Sequence, residues 1–113
     1  MQDFEPAWGH GTLHHYVQPL LRVHGVHVYF SGHDHHAEHL HDKQYDIHFF
    51  IAGHGSKVRY GEKKNRDHSH SVWRQFSEQG FVHASASADE LLVQYLDFEG
   101  KEAYSFTVKR SRT

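Results

Sequence analysis

The chain has 113 residues, 37% of them hydrophobic and 14% aromatic, and a formal net charge of -2 when its 15 histidines are neutral. That length holds one domain with one modest core, and the apolar content is too high for a wholly disordered chain. The charge offers no basic face for nucleic acid, the lack of cysteine excludes disulfides and thiolate ligands, and no apolar run is long enough to span a membrane or form a signal-peptide core.

In chain order, residues 12–25 (TLHHYVQPLLRVHG) read as a helix. Leu13, Tyr16, Val17, Leu20 and Leu21 form one apolar stripe, with Thr12 as N-cap and Gly25 as stop. Pro19 lies inside the pattern and either kinks this helix or opens a second one. Residues 26–30 (VHVYF) alternate and read as a strand that ends at Ser31-Gly32. A histidine-rich loop follows, and residues 46–53 (DIHFFIAG) read as a second strand. Residues 57–71 read as a polar surface loop carrying Lys63, Lys64 and Arg66, with Trp73 and Phe76 covering the sheet. Residues 80–87, 91–98 and 102–109 read as three strands joined by tight connections, an antiparallel meander before a basic tail. The expected class is α/β or α+β, in a single domain over 1–113.

The segment SGHDHHAEHLH, residues 31–41, holds five histidines. In a chain this rich in histidine the run can be a metal site, a surface that titrates in mild acid, or simple composition. The pair His33 and His35 has the strongest placement. It lies just past a strand, where i and i+2 imidazoles in extended backbone face one side, and Gly32 before it permits a sharp turn or a close approach. Neutral imidazole suits zinc, iron, manganese or copper rather than calcium or magnesium. His36, His39 and His41 are expected on the surface. So are His14, His15, His24, His27 and His48, which fall within the helix and strand patterns.

Three pieces in order carry a resemblance: Pro19-Leu20-Leu21, Gly32-His33-Asp34-His35, and Ala52-Gly53-His54-Gly55. Together they resemble the C-terminal half of a purple acid phosphatase of the tartrate-resistant type, a metallophosphoesterase, over about Gly9 to Lys109. The resemblance implies a β-sandwich flanked by helices and hydrolysis of phosphate monoesters. It implies a binuclear centre of Fe(III) with Fe(II), Zn or Mn, in which His33 binds the divalent metal and His35 the ferric iron. It also implies that His10, in WGHGT, orients phosphate or protonates the leaving group. His36 stands where the family has asparagine, and His54 where it has a small residue; both are candidates for substrate contact. The family's remaining ligands belong to an N-terminal half with no counterpart here. The implied partner is therefore that half, which would dock on an exposed helix face and an unpaired strand edge. The family's compartments, secreted or lysosomal and vacuolar, carry over in the same way.

Three readings of function stay open at this point. The first is an enzyme part supplying a ligand pair. The second is a histidine-rich metal-binding module. The third is a descendant without catalysis. A cupin-type barrel is disfavoured by the helix and the small number of strands.

Overall fold

A computed structural model describes residues 16–56, 58 and 70–110. Among the described residues are one short helix, α1 (Gln18–Val23), and seven strands: β1 (Val28–Ser31), β2 (Ala37–Asp42), β3 (Ile47–Ala52), β4 (Ser71–Gln75), β5 (Gly80–Ala86), β6 (Glu90–Asp97) and β7 (Glu102–Lys109). Pro19 occupies the first turn of α1, where a missing N–H is no loss. Gly25 takes φ +67, the left-handed turn that ends the helix, and Val26 N–H donates to the Leu21 carbonyl. α1 falls within the expected helix, whose residues 12–15 lie outside the described residues.

The strands form two sheets. One has the order β1-β3-β2-β4, with β1 parallel to β3 and the other pairs antiparallel; the second is the meander β5-β6-β7. Two of these strands depart from the sequence expectation. β2 falls in the segment read as a histidine-rich loop, and β4 lies at the end of the expected surface loop. β2 forms because its side chains alternate against β3, with Leu40 opposite Phe49 and His41 opposite His48.

The period of two sorts the mixed sheet into two faces. Leu40, Ile47, Phe49 and Ile51 face α1 and form one core with Leu21, flanked by Val17 and Tyr29. Ala37 and Phe50 face the meander and form the other with Val93 and Tyr95, flanked by Trp73 and Phe106. β3 is buried on both faces, which explains its nearly continuous apolar run, and each of its phenylalanines contributes about 2 kcal/mol by burial. The Tyr95 hydroxyl ties the two sheets together. It lies 3.0 Å from the carbonyls of both Glu38 and Ile51, which are register partners, and burial raises its pKa.

The result is a helix layer, a mixed sheet and an antiparallel sheet, an α+β arrangement. The apolar stripe of α1 is only half covered. Leu21 is buried, whereas Tyr16, Leu20 and Val23 are exposed, as is Phe30 on β1 at the sheet border.

Candidate functional site at the strand ends

Because β1 and β3 run parallel, their carboxyl ends open at the same end of the sheet. The loop after β1 and the residues after β3 meet there in backbone contact. Gly53 N–H donates to the His36 carbonyl (3.1 Å), and a Cβ at Gly53 would fall onto the Asp34 carbonyl. Glycine is required at 53 for this approach. At Gly32 an added Cβ would meet only the Ala52 carbonyl oxygen at 3.7 Å, and at Gly55 only the Gly80 oxygen at 3.9 Å. The close approach expected at Gly32 is therefore made by Gly53.

His33 sits at the centre of a three-residue turn closed by Asp34 N–H donating to the Gly32 carbonyl (2.9 Å). Its φ is +76, a left-handed conformation that a residue with a Cβ adopts at a cost, and its side chain is exposed. His35 is half-buried, and its Nδ1 is shielded from solvent without a hydrogen-bond partner. Ser31 Oγ, Asp34 Oδ2 and His54 Nδ1 share that condition, and all come from these two strand ends. Unsatisfied polar atoms gathered at one place are unusual in a folded protein. The imidazole donors at 33 and 35 match the chemistry of a transition metal. Their number does not complete a centre, because among the described residues no third histidine or carboxylate joins them within coordination reach.

His36 and His54 are not on the surface of this chain. His36 is 1% exposed, with Nε2 2.9 Å from a Glu38 carboxylate oxygen and its ring stacked on Phe76. His54 is 2% exposed and packs near Tyr95; burial first, and His36 second, hold its pKa below the usual imidazole value. His10, Lys63, Lys64 and Arg66 lie outside the described residues.

His24 is exposed as expected and His27 half-buried, while His14 and His15 lie outside the described residues; His39, His41 and His48 correct the surface expectation more sharply. On the meander side of β2 and β3, His39 and His48 are buried and His41 is half-buried. His39 Nδ1 lies 2.7 Å from the Tyr104 hydroxyl, and its Nε2 lies 2.9 Å from His48 Nδ1. Its ring stacks on Phe50 (centroids 4.4 Å). Burial, then the charges of His48 and His41, push His39 down to about 3; burial and His41 push His48 down to about 4. Both are neutral hydrogen-bonding groups at physiological pH. The alternation of AEHLHD, followed by a short turn and IHFFIA, is a hairpin pattern that would have placed His39 and His41 on one face.

No family model matches the sequence. Individual proteins do. Human tartrate-resistant acid phosphatase type 5 is 28% identical over 93% of this chain, which covers 35% of that protein. Purple acid phosphatase 3 of Arabidopsis thaliana is 32% identical over 83% of the chain, covering 26% of it. A solved structure, GAP50, the anchor in the inner membrane complex of Plasmodium, shares the fold with a TM-score of 0.81 at 24% identity, over 95% of this chain and 33% of that one. The chain thus resembles purple acid phosphatases along most of its length while spanning between about a quarter and a third of theirs. No helix among the described residues is long and apolar enough to cross a membrane.

Proposed function

We propose that this chain is part of a metal-dependent phosphomonoesterase of the acid phosphatase type, to which it contributes His33 and His35 as metal ligands. The observation that carries this reading is the backbone at His33. A histidine is held at φ +76, where glycine costs less, at the joint carboxyl end of two parallel strands. The likeness to purple acid phosphatases over most of the chain supports it, and the unsatisfied nitrogen of His35 fits a ligand awaiting a partner.

In this reading the other ligands come from a part of the site that the described residues do not contain. His33 and His35 would help to hold a binuclear centre of Fe(III) with Fe(II), Zn or Mn, which when bound would supply Lewis-acid activation of water and charge neutralisation at the phosphoryl group. The chain's own residues position the pair. Gly53 locks the loop against the strand end, and the His36–Glu38 contact together with buried His54 stiffens its base. We assign His36 and His54 to this support rather than to substrate contact, because both rings are buried. His10 is the candidate for protonating the leaving alcohol of a phosphate monoester. A secreted or lysosomal setting follows from the same likeness.

The test is metal content by elemental analysis together with p-nitrophenyl phosphate hydrolysis at pH 5. Both are measured on the protein that carries this chain and on its His33→Ala/His35→Ala variant. Loss of bound metal and a fall in turnover of about a hundredfold or more is the expected result. Undiminished metal and turnover in the double variant would overturn the assignment.

A further inference from the structure

At the opposite end of β3 from His54, a second set of donors converges on the β2–β3 hairpin. His41 and His48 are directly opposed across the two strands, their rings parallel within 3° and 4.0 Å apart. Asp46, in the turn between the strands, takes φ +54, which aspartate tolerates better than most residues. That turn swings its carboxylate back over the pair. Asp46 Oδ1 lies 2.8 Å from His41 Nε2 and 3.7 Å from His48 Nε2, and one donor atom from each of the three residues lies within 4.8 Å of the others.

We propose that His41, Asp46 and His48 form a binding site for a divalent transition cation of the zinc class, separate from His33 and His35. Two imidazoles and a carboxylate are a donor set for zinc or copper and a poor one for calcium or magnesium. Donors bound at about 2.0 Å to a tetrahedral zinc stand about 3.3 Å from one another. The two Asp46 separations, 2.8 and 3.7 Å, bracket that value, and all three donors lie within 4.8 Å of one another. Asp46 is exposed and His41 half-buried, which leaves an approach from solvent.

The surroundings are those of a supported site. His48 Nδ1 is engaged by His39, which is engaged in turn by Tyr104, so the ring is fixed by a buried chain of hydrogen bonds. Run from His48 toward Tyr104, that chain leaves His48 Nε2 a bare acceptor facing a carboxylate oxygen, an arrangement that a cation between them stabilises. His27 Nδ1 donates to the Asp46 carbonyl (2.7 Å) and pins the turn. Both histidines lie outside the strand-end loop, and the site stands whether or not the phosphatase reading holds.

The experiment is titration of the full 113-residue chain with zinc chloride alone, followed by calorimetry and by histidine-ring nitrogen NMR. Three proteins are compared: the chain as it is, Asp46→Asn, and His33→Ala/His35→Ala. Asp46 is exposed, so its variant keeps the fold, which circular dichroism verifies. The tightest site is expected to weaken about tenfold or more in Asp46→Asn and to persist in the His33/His35 variant, with His41 and His48 the first rings to shift. Unchanged affinity in Asp46→Asn, loss of the tightest site with His33 and His35, or a simultaneous shift of all histidines would each overturn the proposal.

Discussion

His33 and His39 lie in the same histidine-rich run, and the fold treats them in opposite ways. His33 stands before the first residue of β2, exposed, on a strained turn. His39 stands within β2, fully buried between the sheets, with a partner on each ring nitrogen. The boundary at Ala37 separates a histidine whose conformation costs stability from one whose contacts contribute it. Residue spacing reports the chemistry a histidine can perform; strand register decides whether it is offered to solvent or used as a core group.

Acid should break this contrast most forcefully. His39 and His48 have folded values depressed to about 3 and about 4, below the usual imidazole value of 6.5. The unfolded chain therefore binds protons first as pH falls. Their contribution is complete above about pH 6.5 and is lost between there and about pH 3, with a slope of about two protons. Urea midpoints measured from pH 7.5 down to 4 check this, and His39→Gln should remove about one proton from the slope.

Single substitutions sharpen the comparison at constant pH. His39→Ala leaves a cavity beside Phe50 and strips partners from Tyr104 and His48, and should cost about 3 kcal/mol in urea denaturation. Gly53→Ala forces the two strand-end segments apart and should cost about 2 kcal/mol, whereas Gly55→Ala, whose Cβ would make only an ordinary contact with the Gly80 oxygen, should change thermal stability by less than about 0.5 kcal/mol. One substitution has the opposite sign. His33→Gly relieves the left-handed turn and should stabilise the chain by about 1 kcal/mol while removing a proposed ligand. A destabilised His33→Gly protein would mean that the imidazole makes contacts the strain argument omits.

Much of the fold was legible because apolar alternation is a local signal. β1, β3 and the three strands of the meander all lie where VHVYF, DIHFFIAG and the three later runs put them. β2 was hidden because AEHLHD offers only Ala37 and Leu40 as apolar marks; histidine counts as polar in a pattern, yet His39 is buried by bonding to His48 of β3 and to Tyr104. The place of Gly32, His33 and His35 just past a strand could be read from the sequence; the extended backbone expected there could not, because His33 takes a left-handed turn. Asp46 could not be read as a donor beside His41 and His48, because a left-handed backbone turn, not sequence proximity, brings its carboxylate there. The stripe on α1 predicted burial for Leu20, but the sheet covers only the Leu21 side of so short a helix.

The position of β3 between β1 and β2 bears on the order of assembly. β2 and β3 are joined by a short turn, and β5, β6 and β7 by others, so both hairpin units close small loops and can form early. The Tyr95 hydroxyl reaches Glu38 and Ile51 across 57 and 44 residues of chain, a contact that can only close once both units exist. That hydroxyl marks the late step of folding. Tyr95→Phe should accordingly leave the folding rate nearly intact and show its whole effect in faster unfolding.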